Sequence, residues 1–181
     1  MREAELAHLD LDGDSYKHVL RACDLLGDWE LATSTLERAS DAGYAPDVLS
    51  YANAMSACAR NGKHHLTLRL LAEMRNSGLQ PNSFCFNSAL LACAKADRMG
   101  QAMGILSEME APGSAVPPTT HSYSALLRSC AINGDGRHAL QLIDRLKESD
   151  PPLTHPPLTP PNVDLAAPGP RPRRHPEEFL K

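Results

Sequence analysis

Apolar positions recur along most of the chain in stripes of helical spacing, each broken after about a dozen residues by Gly, Asn or Pro. Tyr51, Ala54, Met55 and Cys58 fall on one helical face, with Ser50 as the expected N-cap. Asn61-Gly62 interrupts that helix. A second stripe follows through Leu68, Leu70, Leu71 and Met74. Ser77-Gly78-Leu79-Gln80-Pro81 ends it, because Gly accepts the left-handed cap conformation and Pro cannot continue a helix. The pattern predicts a hairpin of two helices.

The hairpin repeats. Tyr16, Tyr51 and Phe86 are spaced by 35 residues, as are Cys23, Cys58 and Cys93, and Gly43, Gly78 and Gly113. After Met109 the register slips by two residues within Ala111–Pro118 and resumes at Tyr123, Cys130 and Gly134. Four copies result: 13–47, 48–82, 83–118 and 119–149. Leu26-Gly27 and Asn133-Gly134 occupy the inter-helix turn of Asn61-Gly62, and Asp97 stands there in the third copy as a turn-compatible substitute. One hairpin cannot bury its apolar face alone, and stacking of about three or more supplies the missing partner. The expected fold is therefore all-α, a solenoid of helix-turn-helix repeats over residues 13–149.

Composition adds two flanking segments. Asp12 lies 35 residues before Asp47, so residues 1–12 are expected to be a partial repeat or a cap. Ten of the fifteen prolines lie in Asp150–Lys181, together with Arg171-Pro172-Arg173-Arg174, and that stretch is expected to be a disordered Pro-rich tail. The net charge of −4 is uneven: −7 over residues 1–47, +4 over 48–99 and −1 over 100–149. Only the middle is suited to face phosphates. No apolar run reaches the ~18–20 residues of a membrane span, and no membrane partner is expected. The acidic start, with two Glu and three Asp against one Arg in Met1–Asp14, is unlike a transit peptide.

Chemistry-bearing residues are sparse. The cysteines form no metal-ligand spacing, and equivalent positions on stacked helices lie roughly 8–10 Å apart, beyond the ~7 Å between Cα atoms that a disulfide spans. Free, buried thiols are expected, with Cys85 off-register and more exposed. The phased aromatics Tyr16, Tyr51, Phe86 and Tyr123 read as core wedges between hairpins. His18, His64, His65 and His138 read as surface residues. Nothing resembles a nucleophile elbow, a phosphate loop or a carboxylate pair, so no enzyme, metal, cofactor or small-molecule substrate is expected.

The 35-residue period, Val48-Leu49-Ser50-Tyr51-Ala52-Asn53 opening a first helix, and Gly78-Leu79-Gln80-Pro81-Asn82 and Gly43-Tyr44-Ala45-Pro46-Asp47 closing second ones, resemble the pentatricopeptide repeat family. The resemblance covers residues 13–149. It implies a right-handed alpha-alpha superhelix that binds single-stranded RNA, one base per repeat. By resemblance, the bases are read by Lys17, Ala52, Asn87 and Ser124 from the first helices. They are also read by the closing residues Asp47 and Asn82. The third closing residue is open among Pro117, Pro118 and Thr119, and the fourth falls near Thr154. Leu49, Phe84 and His121 would sandwich bases, with Asp14 at the same phase. Arg60, Lys63, Lys95 and Arg98 are the expected phosphate contacts. In the family, Asn at the first reading position leans to pyrimidines and Ser to purines.

Several of these readers are weak, since alanine cannot hydrogen-bond a base edge and Asp14 cannot wedge one. Micromolar or weaker binding is expected for this chain alone. The family context implies organellar RNA processing or stability, in chloroplast or mitochondrion, although no presequence is visible and a cytoplasmic location stays open. The competing reading is a scaffold whose groove binds a peptide or helix of a protein partner. The acidic first third favours that alternative.

Overall fold

The computed structural model describes residues 11–148. It contains eight α-helices and, among the described residues, no strand. They pair as α1 (Gly13–Leu26) with α2 (Trp29–Asp41), α3 (Val48–Arg60) with α4 (His64–Asn76), α5 (Ser83–Lys95) with α6 (Met99–Glu110), and α7 (Thr120–Asn133) with α8 (Gly136–Glu148). The readings of residues 1–10, of the Pro-rich tail and of Thr154 lie outside the described residues.

Each first helix starts from a side chain that satisfies an orphan backbone N–H. Asp12 accepts from the Ser15 N–H at 2.8 Å, and Asp47 from Ser50 at 2.8 Å. Asn82 accepts from Cys85 at 3.1 Å and Thr119 from Ser122 at 3.4 Å. Ser50, expected as the N-cap, is the third residue inside α3. The Asp47 carboxylate reaches its N–H and also takes its hydroxyl hydrogen bond at 2.7 Å. Thr119 thus holds the position of Asp47 and Asn82. The two extra residues lie between Gly113 and Thr119.

The inter-helix turns need a left-handed residue. Gly27, Gly62 and Gly134 supply it with φ of 71°, 65° and 69°. Asp97 takes the same conformation at φ 55°, the one non-glycine to do so among the described residues. Its carboxylate accepts a hydrogen bond from the Asn133 side chain at 2.9 Å, which ties the turn to the next repeat.

Packing gives the solenoid its two unequal layers. α1, α3, α5 and α7 pack side by side in a row, and each also packs on its own second helix. Second helices pack on the following first helix and little on one another. Ala54, Ala57, Ala89 and Ala92 are fully buried in the first-helix row and let the axes approach closely. The first helices therefore form the inner wall. In α3 every residue from Ser50 to Ala59 is buried. Met55, Leu70, Met74, Leu90, Leu106, Met109 and Leu126 fill the layer between the rows. Each such side chain contributes roughly 1.5–3 kcal/mol on burial.

The four phased aromatics are buried wedges, with Tyr123 hydrogen-bonded to Glu110 at 2.7 Å. All five cysteines are free and buried. Burial pushes the thiols of Cys23 and Cys58 up to about 11, so both stay protonated at neutral pH. Two expectations fail. Cys85 is buried rather than exposed, 3.9 Å from the Met74 sulfur, because its off-register position faces the preceding second helix. His64 is buried too, at the start of α4 with its ring 3.8 Å from that of His65. Burial, His65 and Arg98 lower its pKa.

The glycines separate structural need from cost. Gly62→Ala places a Cβ on a left-handed backbone and should destabilise by about 1–2 kcal/mol. Gly104→Ala sits inside α6 with nothing within 4 Å of the new Cβ and should stabilise by roughly 0.5–1 kcal/mol. Urea midpoints at constant m-value measure both. Equal shifts for the two variants would contradict the turn assignment.

Candidate nucleic-acid interface

The N-caps place one edge of the inner wall. Lys17, Ala52, Asn87 and Ser124 are the fifth residues of α1, α3, α5 and α7, and Asp14, Leu49, Phe84 and His121 are the second. Leu49 is 58% exposed and Phe84 47% exposed, although the helices that carry them are otherwise largely buried. His121, Lys17 and Ser124 are exposed, Asn87 is half-buried and Ala52 is buried. The reading positions thus share an edge, but Ala52 offers it neither surface nor a polar atom.

At the first repeat boundary the first and closing readers meet. The Lys17 ammonium lies 3.6 Å from the Asp47 carboxylate and 3.4 Å from Asp14. Asp14 and Asp47 raise the pKa of Lys17. Burial opposes ionisation of Asp47, but hydrogen bonds from Ser50 and the charge of Lys17 outweigh it and hold the carboxyl below its usual range. Asn82 uses its carbonyl oxygen on the Cys85 N–H. The Asn87 carbonyl oxygen accepts from the Ser122 hydroxyl at 2.6 Å. Ser124 donates to the His121 carbonyl at 3.0 Å.

The expected phosphate contacts lie at the other end of the first helices. Arg60 is eight residues beyond Ala52, about 12 Å along the axis. Its guanidinium is 3.4 Å from Asp24. Lys95 donates to the Arg60 backbone carbonyl at 2.7 Å, which brings its ammonium to the C-terminal end of α3. Lys63 sits 4.4 Å above the Trp29 ring, and Arg98 is exposed at the start of α6. At the phase of Arg60 and Lys95, the outer repeats carry Leu25 and Ile132, 69% and 76% exposed. The positive strip is therefore confined to the middle repeats. These two aliphatics escaped the sequence reading, although the 35-residue spacing and its two-residue slip place them.

Ser122 was also missed as part of the site, whereas Thr119 was one of the three candidates for the third closing residue and is the one that takes the N-cap position. The signal for them is the Thr-x-x-Ser spacing at the start of α7, which forms a capping box. Among the described residues no three His, Cys, Asp or Glu side chains are grouped to hold a metal, and no helix is long and apolar enough to cross a membrane.

The sequence matches a PPR repeat family over residues 46–95, a pentatricopeptide repeat domain over residues 1–58, and a PPR repeat over residues 84–113 and 121–150. The gap at 114–120 contains the two inserted residues. The fold superposes on the PPR domain of Arabidopsis thaliana protein-only RNase P 1 (PRORP1) in complex with tRNA. The TM-score is 0.63 at 17% identity, over 81% of this chain and 77% of that one. It superposes on the pentatricopeptide repeat protein PPR10 in complex with an 18-nt psaJ RNA element. There the TM-score is 0.67 at 25% identity, over 78% of this chain and 20% of that one. PPR10 from maize gives a TM-score of 0.65 at 17% identity, over 81% and 21%. The chain thus spans about a fifth of the length of the PPR10 chains. No curated protein matches the sequence.

The Asp47 pair carries a pH signature. A carboxyl held below its unfolded value stabilises the fold fully above about pH 4 and loses that contribution as pH falls through its folded-state pKa. Asp47→Asn keeps a capping side chain but removes the charge. The urea midpoint of the variant should therefore fall less between pH 5 and pH 3 than that of the parent. Parallel pH profiles would show that the Asp47 charge, with its Ser50 and Lys17 contacts together, is energetically silent.

Proposed function

The chain belongs to the pentatricopeptide repeat family, and from that premise we propose that it binds single-stranded RNA along the inner wall of first helices, in organellar RNA processing or stability. It acts by binding, without chemistry of its own. One observation carries the reading. Leu49 and Phe84 project large apolar surface at the same phase of adjacent repeats, on the edge shared by Lys17, Asn87 and Ser124. Exposed flat or branched side chains one helix spacing apart are suited to take bases between them. The RNA-bound PRORP1 and PPR10 structures support the reading by likeness of fold.

Affinity follows from the same geometry. Base stacking is worth ~1–3 kcal/mol per base, and Leu49 and Phe84 provide the two well-formed platforms. The cations of the strip already have partners within the fold, so their gain on meeting phosphate is the difference between two interactions.

The alternative, a scaffold for a protein partner, draws on exposed Leu25 and Ile132 and on the carboxylates around Lys17. Titration of the full chain against a randomised single-stranded RNA pool, with single-stranded DNA as control, separates the two. RNA should bind with a dissociation constant in the micromolar range. If Arg60 and Lys95 alone meet phosphate, the log–log salt slope should be no steeper than about −1.4. Phe84→Ala should weaken binding about tenfold, the equivalent of one lost stack. No RNA binding at tens of micromolar, or equal binding of DNA, would favour the scaffold.

A further inference from the structure

The four first helices share a capping geometry, but the third residue of each helix spends its side chain differently. In α3 the N-cap is Asp47, whose carboxylate only accepts. It therefore captures the Ser50 hydroxyl proton at 2.7 Å. In α7 the N-cap is Thr119, and the exchange runs the other way. The Thr119 backbone N–H donates to the Ser122 hydroxyl oxygen at 3.1 Å, and the two hydroxyls lie 3.2 Å apart. Ser122 is fully buried, so no water competes for its remaining proton. That proton is free to reach back across the repeat boundary to Asn87, at 2.6 Å.

This distance fixes the sense of the contact. An O–H···O bond falls at about 2.5–3.0 Å, whereas an N–H···O bond is rarely shorter than about 2.7 Å. The Asn87 atom facing Ser122 is thus its carbonyl oxygen, and the amide nitrogen faces the other way. Asn87 is half-buried at the fifth position of α5, on the edge that also carries Phe84.

We infer that Ser122 is a positioning residue, which holds the Asn87 side chain so that its amide donors, and not its acceptor, are presented to a base. The inference rests on the RNA-binding reading above and deepens it at the boundary of the third and fourth repeats. A donor-only group selects a base that offers an acceptor without a competing donor beside it. Cytosine offers two adjacent acceptors, N3 and O2, with no donor beside O2, whereas the Watson–Crick edge of adenine has the single acceptor N1 beside its amino donor. The identity of the N-cap is part of the device. An acidic cap in place of Thr119 would take the Ser122 proton, as Asp47 takes that of Ser50, and release Asn87 to present either end.

The test uses the full chain and sequencing of the RNAs it retains from a randomised single-stranded pool. Asn87→Ala identifies the base position that depends on Asn87, as the one whose preference it abolishes. The parent should favour cytosine there over adenine by several-fold. Ser122→Ala and Thr119→Asp should both reduce that preference at least threefold, and the Ser122 effect must pass through Asn87 because Ser122 is fully buried and cannot itself meet a base. Thr119→Asp retains a capping side chain, so a folding defect does not account for its effect. An unchanged preference in both variants overturns the inference.

A second arm needs no RNA. In the free chain, NOEs from the Asn87 side-chain amide protons to the Ser122 β-protons should be weak or absent, and the amide resonances should move in Thr119→Asp. Strong NOEs would mean that the nitrogen faces Ser122, and would overturn the inference even if RNA binds. Failure of the chain to bind RNA overturns the functional reading instead, and the NOE pattern still decides the orientation of Asn87.

Discussion

Consecutive first helices must approach closely enough for their side chains to touch, and the rest of the molecule depends on that approach. The alanines at 54, 57, 89 and 92 permit it, being fully buried where larger residues would wedge the row apart. Closeness in one row and separation in the other put the first helices on the inside of the solenoid. It also lets polar groups 35 residues apart bond directly. Ser129 donates to the Ala94 carbonyl at 2.9 Å, Lys95 to that of Arg60, and Ser122 to Asn87. Asn61 reaches the Gly27 carbonyl at 2.7 Å in the same manner. Each of these satisfies a group near a helix end that would otherwise need water. The second helices are held instead by charge pairs on their outer faces: Arg69 with Glu37 at 3.2 Å, and Arg145 with Glu110 at 3.0 Å. Exposed pairs of that kind contribute little each, so the inner row carries the cohesion.

The caps serve two purposes at once, and this gives the reading edge its character. At two of the three boundaries the residue that starts a first helix is tied, directly or through one side chain, to the fifth residue of the preceding first helix. Asp47 stabilises α3 and pairs with Lys17. Thr119 stabilises α7 and, through Ser122, orients Asn87. A carboxylate cap complements the positive end of its helix and so reduces what that end can offer an anion. The neutral caps Asn82 and Thr119 make no such compensation. The edge therefore runs from acidic at the first repeat to neutral at the third and fourth, even though the chain's local charge is most positive in the middle.

Periodicity made most of the fold legible. The 35-residue phase of Tyr16, Tyr51 and Phe86, of the cysteines and of the turn glycines sufficed for eight helices in four hairpins. It also led to the left-handed turn at Asp97, because a turn position is defined by phase even when glycine is absent. The failures are local. Ser50 resembled an N-cap because serine often is one, but a carboxylate three residues earlier competes better for the same N–H. Cys85 looked exposed because it broke the cysteine phase, yet it keeps the phase of Ser15, Ser50 and Ser122, which face the helix boundary. His64 was assigned to the surface by residue type, whereas its burial depends on tertiary packing. Direction within a hydrogen-bond network was illegible for the same reason. Whether Ser122 donates to its cap or to the preceding repeat depends on contacts made only after the repeats stack.

The cations illustrate how position and availability differ. Four basic residues in the middle of the chain suggested a phosphate track, and the fold does bring the Lys95 ammonium to the backbone of Arg60. It also gives Arg60 a carboxylate, Lys95 a carbonyl and Lys63 an aromatic face. A phosphate would have to compete with each of these, whereas among the described residues nothing covers the exposed surface of Leu49 and Phe84. The phases of Arg60 and Lys95 continue into Leu25 and Ile132, so lengthening the RNA beyond the middle repeats adds apolar contact and no charge. In the proposed RNA-binding role, stacking and the few polar readers near the caps would therefore outweigh electrostatic attraction. That balance follows from ion pairs inside the solenoid as much as from its net charge.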